Sequence, residues 1–95
     1  MEFCEAGKNW YEIECVVGNR HGLHARPSMD IVTASEEYNG NVNIIYDGKI
    51  FDAKSILQLM GAQILFDYKI RIRVEKGEGH EELASELARI LNKNY

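Results

Sequence analysis

"NVNIIYDGKIFDAKSILQLMGA", residues 41–62, decides the architecture. Val42, Ile44 and Tyr46 alternate with their neighbours, the period of a half-buried strand. Asp47-Gly48 then signals a two-residue hairpin turn, and Ile50 and Phe51 lie in the short return strand. AKSILQLMGA reads as a helix of about two turns. Asp52 is its candidate N-cap, with Ser55 three residues later.

The flanks extend this pattern. In WYEIECVV, residues 10–17, Tyr11, Ile13, Cys15 and Val17 alternate with Glu12, Glu14 and Val16, which predicts a strand. Gly18–Leu23 reads as a loop, with Gly18, Asn19 and Gly22 as turn formers. A helix follows over roughly 25–38, with Pro27 tolerated in its first turn and Asn39-Gly40 stopping it. Ile31, Ala34 and Tyr38 recur on one face, and Met29 and Val32 broaden it. In KIRIRVEK, residues 69–76, Ile70, Ile72 and Val74 face one way and Lys69, Arg71, Arg73 and Glu75 the other. Gly77–Gly79 breaks the chain, and Leu83, Leu87 and Leu91 mark a closing helix.

The order is therefore β-α-β-β-α-β-α. Strands with one polar face imply an α+β fold of two layers, an antiparallel four-stranded sheet covered by helices on one side and open to water on the other. Residues 1–9 read as a loosely held extension and residues 10–95 as a single domain. A net charge of −4 weighs against a nucleic-acid partner. The first residues, MEFCEAGKNW, lack the apolar core of an export signal, and no run approaches the ~20 apolar residues of a membrane span. Cys4 and Cys15 have no metal-site spacing. Their even count allows a disulfide, but without an export signal two reduced cytosolic thiols are expected.

The chemistry concentrates in "GLHARPS", residues 22–28. His24 stands where loop meets helix. A helix N-terminus presents outward N–H groups and about half a positive charge, a ready site for phosphate. Arg26 adds a permanent guanidinium, and a neutral imidazole is a competent nucleophile. The combination suits a histidine that accepts a phosphoryl group and gives it away. The plainer alternative is a helix cap or a solvated side chain.

"GLHARPS" resembles the phosphorylation-site motif of the HPr family, the histidine-containing phosphocarriers of the bacterial sugar phosphotransferase system. "VNIIYDGKIFDAKSILQLM", residues 42–60, resembles the family's second characteristic region. The resemblance runs from about Tyr11 to the final helix and implies an HPr-like open-faced sandwich with three helices on one face of the sheet. It implies that His24 is phosphorylated on Nδ1 by enzyme I at the expense of phosphoenolpyruvate. Arg26 would steady the phosphohistidine, and enzyme IIA proteins would receive the group. Ser55 matches the regulatory serine that HPr kinase/phosphorylase modifies in many bacteria. Leu57, Leu59 and Met60 match the short helix through which partners dock. The expected chain is a cytoplasmic, monomeric carrier with no cofactor and no metal, and not a self-standing enzyme.

Two other readings stand beside it. A regulatory relative of an incomplete phosphotransferase system would act mainly through serine phosphorylation. In purely regulatory relatives the active histidine is replaced, and the presence of His24 with Arg26 argues against these but not against an incomplete pathway. An RNA-binding module is suggested only by KIRIRV, a strand without stacking aromatics. Some residues depart from the family pattern. His21 makes an HxxH pair with His24, two ligands where zinc needs three or four, so a solvent or supporting role is expected. Ser28 stands where alanine is common, with only a local hydrogen bond expected. The stretch QILFDYK, residues 63–69, lacks the usual glycine before the last strand. Leu65 and Phe66 either extend a docking patch, support self-association or pack under that strand.

Overall fold

Alternation in the last strand sets the core. The computed structural model describes residues 9–94. The expected extension falls outside these residues except for Asn9, as does Cys4. The strands are β1 (Trp10–Val16), β2 (Val42–Tyr46), β3 (Lys49–Asp52) and β4 (Lys69–Glu75). The helices are α1 (Ala25–Glu36), α2 (Ile56–Gly61) and α3 (His80–Asn92). The sheet order is β1-β4-β2-β3, antiparallel throughout. The fold is the expected β-α-β-β-α-β-α sandwich.

Ile72 shows how the register builds the core. It lies opposite Ile13 on one side and Ile44 on the other. With Ile70, Val74 and Val42 it is buried, and these side chains meet Ile31 of α1, Leu59 of α2, and Leu83, Leu87 and Leu91 of α3. Each such side chain contributes about 1.5–3 kcal/mol through removal from water. The open face carries the charges. Glu12 meets Arg73 at 3.4 Å and Arg71 at 3.6 Å. The Arg73 guanidinium also lies 4.4 Å over the Trp10 ring. Arg71 and Arg73 thus have partners on the sheet, which accounts for these two cations without a nucleic acid. Cys15 is a free, half-buried thiol. Burial pushes its pKa up, which keeps it protonated and a poor nucleophile.

The structure corrects two local readings and removes one alternative for a third. Asp52 does not cap α2. Ser55 does, with its hydroxyl accepting from the Gln58 N–H at 3.3 Å. Asp52 is the last residue of β3, and its carboxylate instead accepts from the Lys54 N–H at 2.9 Å. Met29 does not join the buried face of α1 and is 59% exposed. It lies about 200° round the helix from Ile31, on the far side from the core. Leu65 and Phe66 do not pack under the last strand either, being 53% and 51% exposed.

The missing glycine before β4 has a consequence for stability. Asp67 adopts φ 74, the left-handed region that glycine favours. Its N–H donates to the Val17 carbonyl at 2.8 Å, and the Val17 N–H donates to the Tyr68 carbonyl at 2.9 Å. Asp67→Gly keeps both backbone bonds and removes a penalty of about 1–2 kcal/mol, partly offset by glycine's freedom in the unfolded chain. The variant is expected to be more stable by about 0.5–1 kcal/mol, read from the urea unfolding midpoint. A lower midpoint would mean that the Asp67 side chain itself stabilises the turn.

Candidate functional site

The site grows from the loop between β1 and α1. At its start the N–H groups of Gly18 and Asn19 both donate to the Leu91 carbonyl at 3.1 Å, fastening the loop to the end of α3. The Gly22 N–H then turns back to the Asn19 carbonyl at 3.0 Å. Gly22 has φ 69, and a Cβ there would sit 2.6 Å from the Ile64 carbonyl oxygen and 2.9 Å from the Leu65 Cα. Only glycine lets the two backbones approach so closely. Leu23 is buried, and its N–H donates to that same Ile64 carbonyl at 2.9 Å. The buried Ser28 hydroxyl donates to the Leu23 carbonyl at 3.4 Å, the local bond expected of it.

This clamped loop delivers His24 to the N-cap of α1, with φ −88 and ψ −168. Its carbonyl accepts from the Ser28 N–H at 3.1 Å and opens the helical ladder. The His24 side chain makes no cap hydrogen bond, so the imidazole is not used up as a helix cap. The ring is half-buried and its Nε2 is out of solvent. No acidic residue stands in the first turn of α1 to compensate the positive end of its dipole. Arg26, the second helical residue, is exposed on the same turn. His24 and Arg26 thus both stand at one helix end.

His21 joins them. Its ring meets His24 edge to face, with centroids 5.5 Å apart at 87°. The pair gains no third ligand: among the described residues no group of three or more His, Cys, Asp or Glu side chains could hold a metal ion.

Ser55 stands at the start of α2, half-buried as its cap. Leu57 is 81% exposed and Met60 46%. Leu59 is fully buried and belongs to the core, which corrects its assignment to docking. In so short a helix one apolar residue must face inward, and the i+2 position from Leu57 is that residue. Met29, Val32 and Ile56 line an apolar groove between α1 and α2 that sequence reasoning missed. The exposure of Met29 is the signal, and only the structure reveals it. The groove begins about 7 Å along α1 from His24, so the imidazole and the apolar surface belong to one region.

A family model described as the phosphorylation site of the PTS HPr component matches residues 11–93. The chain is 35% identical to the phosphocarrier protein HPr of Borreliella burgdorferi over 78 residues, covering 82% of this chain and 90% of that protein. It superimposes on the crystal structure of HPr from Bacillus anthracis with a TM-score of 0.78 at 30% identity, covering 85% of this chain and 95% of that one. It is also 27% identical to the multiphosphoryl transfer protein of Vibrio cholerae over 62 residues, covering 62% of this chain but only 16% of that protein. A clamped glycine loop, a histidine at a helix N-terminus and these likenesses agree, and the chain belongs to the HPr family of phosphocarrier proteins of the phosphotransferase system.

Proposed function

We propose that His24 accepts a phosphoryl group from phosphorylated enzyme I and passes it to an enzyme IIA protein. The observation that carries this reading is the placement of the imidazole. Its Nε2 is buried and its backbone caps α1, so Nδ1 is the nitrogen that a donor can reach. In the reactive tautomer Nε2 holds the proton and Nδ1 the lone pair. That pair attacks the phosphorus held on the donor's imidazole. A new N–P bond forms, the donor's N–P bond breaks, and its electron pair stays with the leaving nitrogen. The phosphoryl oxygens then lie at the positive end of α1, with the Arg26 guanidinium beside them. Both features stabilise the anion electrostatically and leave the N–P bond available for the next transfer.

In this reading the chain is a carrier within a relay. Residues 10–95 act as one domain, a monomer that visits its partners in turn through Leu57, Met60 and the groove beside them. The reading implies a cytoplasmic chain; among the described residues no helix is long and apolar enough to cross a membrane. The test is incubation with phosphoenolpyruvate and a bacterial enzyme I, followed by intact mass. One added phosphate that is lost in acid supports the reading. No added phosphate, with the enzyme I active on its own carrier, overturns it.

Ser55 is the regulatory position in the same reading, modified by an HPr kinase/phosphorylase. A phosphate there retains oxygen acceptors for the Gln58 N–H, so α2 persists. The added negative charge acts on partners instead. Ser55→Asp is therefore expected to fold normally and to lower kcat/KM for enzyme I by about tenfold, the scale of a misplaced charge at an interface. Unchanged kinetics would remove the case for regulation by this route.

A further inference from the structure

Asn19 is a polar side chain that is only 1% exposed. A buried amide must find partners for both its ends, and this one finds them on two different elements. Its Nδ2 donates to the Lys93 carbonyl at 2.7 Å, beyond the last turn of α3. Its Oδ1 accepts from the His21 N–H at 2.8 Å. Its backbone repeats the pattern, donating to the Leu91 carbonyl and accepting from the Gly22 N–H. The carbonyls at a helix C-terminus lack intrahelical donors, and Asn19 supplies two of them with partners. The Arg20 N–H adds a parallel tie to the Asn94 side chain at 2.9 Å. Asn19 thus ties the loop to α3 together with Gly18 and Arg20, and its side chain holds the backbone of His21, whose ring stands against His24.

We propose that Asn19 is a positioning residue for His24, acting through His21. Its amide oxygen holds the His21 backbone, and the His21 ring fixes the orientation of the His24 imidazole. The proposal rests on the phosphocarrier reading for its kinetic consequence and on geometry alone for its structural one. An attacking nitrogen must meet the phosphorus in line, and small misplacements are expensive in rate.

Two readouts test this: steady-state transfer from phosphoenolpyruvate and enzyme I, and proton cross-relaxation between the His21 and His24 rings. Asn19→Ala is expected to lose the ring contact. Its kcat should fall by about tenfold to a hundredfold, while KM for enzyme I, set by α2, stays within about twofold. Asn19→Asp keeps an oxygen for the His21 N–H and loses the donor to Lys93. It is expected to melt earlier yet keep the ring contact and a near-normal kcat. A purely structural role would instead make kcat follow stability in both variants. His21→Ala covers the case in which Asn19→Ala fails to fold, because the His21 side chain is exposed. It should show the same loss of kcat with no loss of stability. A ring contact that persists in folded Asn19→Ala, or an unchanged kcat in His21→Ala, overturns the proposal. If the unaltered protein accepts no phosphate, the phosphocarrier reading fails, and the ring contact alone decides the role of Asn19.

Discussion

His24→Ala is expected to take no measurable phosphate from phosphoenolpyruvate and enzyme I, a loss of at least about a thousandfold, while its fold stays intact. The kinetic half follows because a single atom, His24 Nδ1, is proposed to take the new N–P bond. His21 does not substitute for it. Its side chain is exposed in the loop, three residues before the N-cap of α1. The stability half follows from the cap. His24 contributes its carbonyl to the Ser28 N–H, which alanine does equally well, and no side-chain cap bond is lost. The change should lie within about 0.5 kcal/mol, or no more than about 4 °C in Tm for a domain of this size. Intact mass after the transfer reaction and a thermal melt decide the matter together. A melted variant would make His24 a structural residue, and a normally labelled one would move the phosphate elsewhere.

Gly22→Ala carries the largest expected effect on stability. Its φ of 69 alone costs an alanine about 1–2 kcal/mol. The added Cβ would also stand 2.6 Å from the Ile64 oxygen and 2.9 Å from the Leu65 Cα, both backbone atoms that no rotamer change can move aside. Relief requires the loop to leave the 62–68 segment, which breaks the bond from the Leu23 N–H to Ile64. A total of about 2–4 kcal/mol is expected, or roughly 10–20 °C in Tm. Gly48→Ala is the control. Gly48 has φ 75, but a Cβ added there would meet no atom within 4 Å, so only the backbone cost applies, about 1 kcal/mol. Equal melting of the two variants would show that the close approach of the loop to Ile64 contributes nothing.

The elements that the sequence made legible are those with local causes. Ile70, Ile72 and Val74 announce a half-buried strand because their period of two is a backbone property. Asp47 and Gly48 announce a hairpin, and both adopt the positive φ that such a turn demands. His24 and Arg26 are legible as a pair because a helix start brings residues at that spacing to one end. The rest depends on distant chain. Asp52 and Ser55 are both good caps, and the choice between them follows from where β3 ends. Leu57, Leu59 and Met60 are all apolar, and only packing against the sheet shows that Leu59 faces inward. Asn19 reads as a turn former, but its burial and its role come from Lys93, 74 residues along the chain. No local pattern carries that contact.

The most direct test of the central claim is nitrogen–phosphorus coupling in the 15N-labelled protein after reaction with phosphoenolpyruvate and enzyme I. Coupling is expected at Nδ1 of His24 and none at its Nε2. Phosphorus found on Nε2, on His21 or on Ser55 after that reaction would contradict it.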